Sequence, residues 1–186
     1  DDTMYPVSLG IIDDEGEGHL IEASRYLGEQ FRIWGAASLE SLWITHAHFG
    51  HVDGLGLFGK ETMASRDIEL HVSDEMFHLI EETPQWAIML KQGVFSDNVF
   101  QNGQRILLNG QLSITPIKVP HRDEFSETAA FLILGPNKSA LFLPDIDKWD
   151  KWSMNIVEML SNVDYAFIDA TFYSSDEINR DIEEIP

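Results

Sequence analysis

Three histidines within six residues are the feature that most restricts how this chain of 186 residues can fold. His46, His48 and His51 directly follow the apolar segment 41–45, whose pattern is typical of a buried strand. Histidines two positions apart point to the same side of an extended chain, so His46 and His48 can share one metal ion. Gly50 allows a turn that brings His51 to the same pocket. Two imidazoles rarely suffice to hold an ion, so the fold must bring further ligands from distant segments.

Two later segments carry candidates for those ligands. His121 begins a polar loop after a strand-like segment, and Asp145 ends another strand-like segment. Taken alone, Asp145 fits a capping or solvated carboxylate better than a ligand. Both residues gain weight because they follow strands, at the sheet edge where the histidines are also expected. Three further histidines stand alone in the sequence and are predicted to be structural or solvent-exposed: His19, His71 and His78.

The charge and the cysteine count narrow the partners and the metal chemistry. Twelve basic against 32 acidic residues give a net charge of −20, which repels nucleic acid and favours a small-molecule substrate. The chain has no cysteine, so a metal ion must be held by imidazole and carboxylate groups. No apolar run is long enough to cross a bilayer, and no leader segment is visible. We expect a cytoplasmic protein, with the periplasm as the alternative; the oligomeric state is not indicated.

Hydrophobic periodicity predicts strands and helices in both halves of the chain. The predicted strands are 7–12, 19–23, 41–45, 68–72, 105–108, 112–114, 128–134, 139–143 and 165–169. The predicted helices are 25–34, 54–63, 73–82 with Ser73 as its N-cap, 84–92 and 149–160, and the tail from Ser174 is predicted as helix or fray. Asn109-Gly110 indicates a two-residue hairpin. Two sheet-rich halves with covering helices predict an α/β fold, a four-layer αββα sandwich, as a single domain over 1–186.

The Thr-His-x-His-x-x-His string, the later histidine and the strand-end aspartate resemble the metallo-β-lactamase superfamily. Three further blocks are similar to the coenzyme PQQ-synthesis protein B branch and its relatives: 119–124, 143–149 and 163–172. The resemblance implies the αββα fold with a metal at the sandwich edge. It implies His46, His48 and His121 as first-site ligands, and Asp145 as the ligand that usually bridges two metals.

Two departures from the superfamily pattern reduce the second metal site. The superfamily usually has Asp directly before the third histidine of the string, where this chain has Gly50. The histidine that relatives carry after a segment like 184–186 is not found, nor is a glycine-rich opening strand, so the fold is expected to be incomplete at both ends. The second site keeps only His51 and Asp145, unless Asp123 or Glu124 contributes. We therefore expect one strongly bound ion, with zinc favoured and iron or manganese as alternatives.

These ligands predict a metallo-hydrolase of a small ester, lactone, amide or phosphoester. Asp145 would orient the metal-activated water, and His51 would act as a second-site ligand or a proton carrier. Asp169 is interpreted either as a brace for a ligand histidine or as a strand-end cap. Trp149 and Trp152 fit a substrate wall or, more often for such a pattern, the core. The alternatives are metal-dependent oxidation in a PQQ-synthesis-like role and a metal- or ligand-binding domain that has lost catalysis.

Overall fold

The computed structural model describes residues 4–171 and 175–177. The chain divides into two compact units, Asp1–Gln101 and Asn102–Pro186. Each contains one five-stranded sheet with helices. The mixed α/β composition with two sheets is the one predicted from the sequence, whereas the single domain over 1–186 stays a prediction.

The first unit is built on a mostly parallel sheet in the order β1-β2-β3-β4-β5. Its strands are β1 Leu9–Ile12, β2 Gly18–Ile21, β3 Ser41–Trp43, β4 Ile68–Val72 and β5 Phe95–Val99. Its helices are α1 Leu27–Trp34, α2 Phe49–Val52, α3 Asp74–Glu82 and α4 Pro84–Lys91, with a 3₁₀ turn at Leu55–Phe58. β1 pairs with β2 antiparallel, and β2 to β5 run parallel to one another. The carboxyl ends of β2, β3 and β4 therefore meet at one edge of the sheet.

The core of the first unit lies on one face of this sheet. Leu20, Leu42 and Leu70 stand side by side in the register of β2, β3 and β4, and each is almost fully buried. They belong to a cluster that includes Leu27 of α1 and Met76 of α3. The residues of β2 and β3 are buried on both faces, which is typical of parallel strands. This packing fixes the strand ends from which the histidine segment begins.

Local signals account for where these helices begin and end. Ser73 caps α3, because its side chain accepts a hydrogen bond from the Met76 amide at 3.3 Å. Pro84 occupies the first turn of α4, where its missing N–H costs nothing. Gly35 ends α1 in the left-handed conformation, with φ of 72°, and its amide donates to the Phe31 carbonyl.

The second unit is built on a sheet in the order β10-β9-β8-β7-β6. Its strands are β6 Ile106–Leu107, β7 Ser113–Val119, β8 Thr128–Leu134, β9 Ser139–Leu143 and β10 Tyr165–Ile168. Its helix is α5 Ile156–Ser161, with 3₁₀ turns at Trp149–Lys151 and Ser175–Glu177. β6 to β9 form antiparallel pairs, and β10 runs parallel to β9. One cluster of buried residues, which includes Ile117, Leu141 and Trp152, forms a core on this sheet.

Eight of the nine strand predictions are confirmed to within two residues at each end, whereas the strand predicted over 112–114 continues to Val119, and β5 is not among the predicted strands. Two helix predictions are wrong. Over 54–63 only Leu55–Phe58 forms a 3₁₀ turn, because the Thr62 hydroxyl and the Met63 amide both take the Leu57 carbonyl. Over 149–160 a short 3₁₀ turn is followed by a separate helix that begins after Asn155, whose side chain caps the Val157 and Glu158 amides.

The hairpin at Asn109-Gly110 is confirmed, but its loop is longer than predicted. The Leu108 amide donates to the Leu112 carbonyl at 2.9 Å, which leaves three residues in the loop. The Asn109 side chain accepts from the amides of Gln111 and Leu112, and this stabilises the longer turn. For the tail from Ser174, the turn at Ser175–Glu177 agrees with a helical prediction, and the rest lies outside the described residues. In the described part of the chain, no helix is long and apolar enough to cross a membrane.

Candidate metal centre

His46 and His48 lie together just beyond the carboxyl end of β3. The Nε2 atom of His46 is 2.9 Å from the Nδ1 atom of His48, and the two rings stand edge to face. His46 is buried and His48 is half-buried, with His48 in an extended conformation as the residue before α2. The extended backbone predicted from the spacing of two residues therefore brings both imidazoles to one point.

The separation of these nitrogen atoms fits a shared ion. Two ligands at 2.0–2.1 Å from a tetrahedral zinc ion are about 3.3 Å apart. The 2.9 Å between His46 and His48 is close to that value. The donor chemistry agrees as well, since imidazole nitrogen is a preferred ligand of zinc, iron and similar ions.

Glu22 is a buried carboxylate beneath this histidine pair, and the sequence analysis missed it. Its Oε1 atom lies 2.5 Å from the Thr45 hydroxyl and 3.0 Å from Nδ1 of His51. The side chain is fully buried, and the backbone of Glu22 has a positive φ of 73°, a conformation that non-glycine residues rarely adopt. Strain of this kind often accompanies a functional constraint. The signal in the sequence is a single acidic residue inside the strand predicted over 19–23.

The contact between Glu22 and Thr45 determines which nitrogen of His46 can bind a metal. A hydroxyl has a single proton, and that of Thr45 is donated to Glu22. Towards His46 Nδ1, 2.9 Å away, the hydroxyl can then only accept. His46 Nδ1 therefore carries the proton, and Nε2 keeps the lone pair that a metal requires.

His51 lies beside His46 but is held differently. Their ring centroids are 4.2 Å apart, and His51 is buried on α2 with its Nδ1 atom directed at Glu22. A histidine that donates one ring N–H to a carboxylate is oriented and made more basic at its other nitrogen. This arrangement suits both roles predicted for His51, as a ligand and as a proton carrier, and does not distinguish them.

Gly50 is an exposed residue of α2, and Asp53, which follows this helix, is half-buried. A Cβ atom at Gly50 would meet no atom within 4 Å, so the helix has room for a larger residue there. Asp53 ends α2, and its Oδ2 atom accepts a hydrogen bond of 2.6 Å from Arg25. Asp53 is thus engaged in an ion pair, in agreement with the prediction that it does not replace the carboxylate missing at Gly50.

In the second unit, His121 and Asp145 lie next to each other in the loops that follow β7 and β9. The Nε2 atom of His121 is 3.6 Å from Oδ2 of Asp145, again close to the separation of two ligands of one ion. On the other side of the ring, Nδ1 is 3.3 Å from Oδ1 of Asp147. The Asp147 amide donates to the Pro120 carbonyl at 2.8 Å, which ties the two loops together. Nε2 of His121 is therefore the nitrogen on the side of Asp145.

Asp147, which the sequence analysis did not single out, is the carboxylate that lies beside Nδ1 of His121, where Asp169 was a candidate. Asp169 contacts no histidine in the described part of the chain. Its side chain instead accepts hydrogen bonds from the Ile146 amide and from Thr171, and its amide donates to the Leu143 carbonyl. Its interpretation as a strand-end cap is confirmed, and it supports the backbone next to Asp145.

The remaining predicted residues divide between surface and core. Asp123 and Glu124 are exposed in the loop after His121. Trp152 is buried in the core of the second unit, where its indole N–H donates to the Lys118 carbonyl at 3.0 Å. Trp149 is partly buried and packs against the same core. The core interpretation of both tryptophans is therefore confirmed.

The three histidines predicted to be structural or exposed are so. His78 is exposed on α3. His19 and His71 are buried beside β3, where His19 Nδ1 is 2.8 Å from the Ser41 hydroxyl and His71 stacks on Trp43 with ring centroids 3.8 Å apart. Burial lowers the pKa of His71 from its ordinary value, and a hydrogen bond to Glu69 opposes part of that effect.

Comparison with protein families gives a match along most of the chain. The sequence profile of the Beta-lactamase superfamily domain matches residues 20–184. This range includes every residue described above as a candidate ligand. No curated protein sequence matches the chain.

Solved structures with the same fold include proteins of different activities. Zn²⁺-bound PqqB from Methylobacterium extorquens matches 91% of this chain with a TM-score of 0.73 and 15% identity. A diphosphatase from the PhnP family matches 89% with a TM-score of 0.61 and 19% identity. The metallo-β-lactamase GOB-18 from Elizabethkingia meningoseptica matches 81% with a TM-score of 0.52 and 18% identity. The chain spans 62%, 60% and 58% of these three proteins. Identities this low show a shared fold, the metallo-β-lactamase fold, and no more.

Proposed function

Because this chain belongs to the β-lactamase superfamily, we propose that it is a metal-dependent hydrolase of a small ester, lactone, amide or phosphoester. Solved structures of the same fold include a diphosphatase and a metallo-β-lactamase. These neighbours support hydrolysis as the reaction class.

We further propose that the two donor pairs share one ion. The observation that carries this proposal is the donor set itself: the side chains in the described part of the chain that could together hold an ion are His46, His48, His121 and Asp145. Three imidazoles and one carboxylate can hold a zinc ion without cysteine, and a water would take a further, fifth position. Zinc is the ion proposed, with iron and manganese as alternatives for the same ligands.

When bound, a zinc ion supplies a water of lowered pKa and polarises the substrate oxygen. The chain's own residues then do the positioning. Asp145 accepts a hydrogen bond from the attacking water and aligns it with the scissile bond. His51 carries the proton away, since Glu22 holds its Nδ1 atom and leaves the opposite nitrogen to accept a proton. Glu22 also fixes the tautomer of His46 through Thr45.

We propose a single tightly held ion per chain. Gly50 offers no ligand atom where the superfamily usually places Asp, and Asp53 is paired with Arg25. Among the described residues, His51 and Asp145 are then the proposed ligands of a second ion, unless Asp123 or Glu124 contributes, and two ligands are too few for tight binding.

The first test measures two quantities in the purified protein. Elemental analysis gives the number of metal ions per chain, and a panel of esters, lactones and phosphodiesters gives the hydrolytic activity. We expect about one zinc per chain, and we expect His121→Ala to lose both the metal and the hydrolysis. His78→Ala removes an exposed imidazole from α3 and serves as the matched control, which should keep both. Two ions per chain would contradict the proposal of a single ion. Metal retained at full occupancy in His121→Ala would contradict the proposal that both donor pairs share that ion.

Metal-dependent oxidation is the second candidate. It is favoured by the fold shared with PqqB and by a ligand set that also suits iron. If oxygen consumption increases with the iron content of the protein and the zinc form hydrolyses no substrate, the function is oxidation and not hydrolysis. A third candidate, a domain that binds metal without catalysis, predicts metal retention with neither activity.

A further inference from the structure

Two adjoining cavities lie in the first unit, away from the histidine segment. The larger has a volume of about 360 Å³, within the usual range for small-molecule sites. Its walls are mainly apolar, with a polar end, and include Phe31, Leu39, Met63, Ile68, Ser65 and Arg66. The smaller, of about 150 Å³, shares Ser65 and Arg66 and adds Lys60.

The cavities lie at the opposite end of the first unit's sheet from His46 and His48. Leu39 precedes β3 and Ile68 begins β4, so both mark the amino ends of parallel strands. His46 follows the carboxyl end of β3. Since β4 has five residues at about 3.3 Å each, the two places are separated by more than about 13 Å. A molecule bound in these cavities therefore does not contact His46 or His48.

The backbone that presents Ser65 and Arg66 is unusual and firmly held. Ala64 and Asp67, on either side of them, have positive φ angles of 51° and 56°. Hydrogen bonds from the amides of Ala64, Ser65 and Asp67 keep this segment in place, with carbonyl partners on Gly59, Phe58 and Gly93. Left-handed backbone at two non-glycine residues persists only where the surrounding structure imposes it, and it often marks a binding site.

Arg66 and Lys60 are cations without an ion-pair partner among the described residues, in a chain with a net charge of −20. Asp67 is the carboxylate nearest to Arg66 along the chain, but its side chain is exposed and forms no ion pair in that part of the structure. An unpaired guanidinium at the end of an apolar cavity is complementary to a molecule with one anionic group and an apolar body.

We propose that the larger cavity binds a small amphiphilic carboxylate. Its apolar chain lies against Phe31, Leu39 and Ile68, and its carboxylate pairs with Arg66. The planar guanidinium suits a carboxylate, which it can bind through two parallel hydrogen bonds. A polyphosphate is disfavoured, because the acidic field repels multiple negative charge.

Octanoate is the probe for the test, added to the full-length protein while backbone amide NMR shifts are followed. We expect saturable shifts confined to Phe31 and its neighbours and to segments 36–39 and 63–68, and no such response to octanol, which lacks the charge. Arg66→Met keeps an apolar stem but removes the charge, and should weaken octanoate binding by about three- to tenfold.

Arg32→Met is the matched control, since Arg32 is an exposed arginine of α1 paired with Glu29 and does not line either cavity. It should leave octanoate affinity unchanged. Equal binding of octanol, equal losses in both variants, or absence of saturable shifts would each overturn the proposal. The result does not depend on the proposed hydrolase, because the probe and the readout involve neither metal nor turnover.

Discussion

Gly50 stands between His48, which faces the proposed ion, and His51, which faces Glu22. Replacing it with Asp restores the carboxylate that the superfamily usually has there, and the open space around its Cβ position tolerates the change. We predict that Gly50→Asp raises the zinc content from about one towards two ions per chain, because the second site gains a third ligand. Elemental analysis after zinc titration measures this.

Gly56→Asp provides the control for that substitution. Gly56 is also exposed, also has no atom within 4 Å of a built Cβ, and lies in the 3₁₀ turn rather than beside the histidines. It should leave the stoichiometry unchanged. If hydrolysis appears only in Gly50→Asp, the native chain is a binding domain rather than a hydrolase.

Glu22 is the residue through which two histidines are oriented together. Glu22→Gln keeps the size but removes the charge, so the hydrogen bonds from Thr45 and His51 weaken and His46 is no longer held in one tautomer. We predict a loss of zinc affinity of about ten- to a hundredfold, measured by competition with a chelator. Glu69→Gln, which alters a carboxylate beside the non-ligand His71, should leave zinc affinity unchanged.

The contrast between His46 and Glu22 explains how much of the site the sequence could predict. The spacing of His46 and His48 alone predicts a shared ion, whereas His121 and Asp145 were predicted as ligands from their place after strands and from the family resemblance. Glu22 and Asp147 act by supporting other side chains, so their roles depend on burial and on contacts between distant segments. Asp169 was interpreted as a brace for a histidine or as a strand-end cap, because the sequence does not show which residues a carboxylate after a strand will contact.

At the scale of elements, strands were easier to predict than helices. β4, β8 and β9 have the predicted bounds, because β8 and β9 are apolar runs bounded by turn residues and β4 alternates apolar with polar residues. The helix predicted over 149–160 failed because its apolar pattern continues across Asn155, whose side-chain cap starts a new helix. Side-chain capping and competing hydrogen bonds, as at Thr62, are local contacts that periodicity does not register.

The row of polar residues on β2, β3 and β4 gives the fold a dependence on pH. His19 pairs in register with Ser41, and Trp43 with His71. Asp13 faces His19 from the turn after β1, and Glu69 faces His71 from the same strand. Burial lowers the pKa of His71 below 6.5, with Glu69 opposing and His19 adding to the shift. Burial raises the pKa of nearby Glu40 above 4.5, so the two groups titrate with effects of opposite sign.

We predict that the free energy of unfolding falls as the pH drops below about 6.5. There the unfolded chain protonates at residue 71 while the folded chain does not, so acid favours unfolding until the folded pKa is passed. His71→Phe keeps a ring to stack on Trp43 but cannot titrate, and should show a shallower slope between pH 6.5 and the lower pKa. Urea titrations at several pH values measure the slope. His78→Phe, at an exposed position, should reproduce the native slope; a native slope in His71→Phe would contradict the assignment.

At the scale of the whole molecule, the proposed ligands are divided equally between the two compact units. His46 and His48 belong to the first, and His121 and Asp145 to the second. Each unit pairs its two donors independently, at 2.9 Å and 3.6 Å. The motifs are visible in the sequence of each unit. The distances between the donor atoms are not, because they depend on the conformation of the loop that follows each strand.

The net charge of −20 acts on every substrate that approaches the molecule. Its repulsion of anions reaches about 10 Å at 0.1 M salt and shortens as salt is added. We therefore predict that KM for an anionic phosphodiester falls by about two- to fivefold between low and moderate salt, whereas KM for a neutral ester stays constant. Steady-state kinetics on the two substrates, with the zinc concentration fixed, measure the difference. A KM for the phosphodiester that rises with salt would indicate a local cationic binding surface strong enough to outweigh the overall charge, and would remove the argument against nucleic acid as a partner.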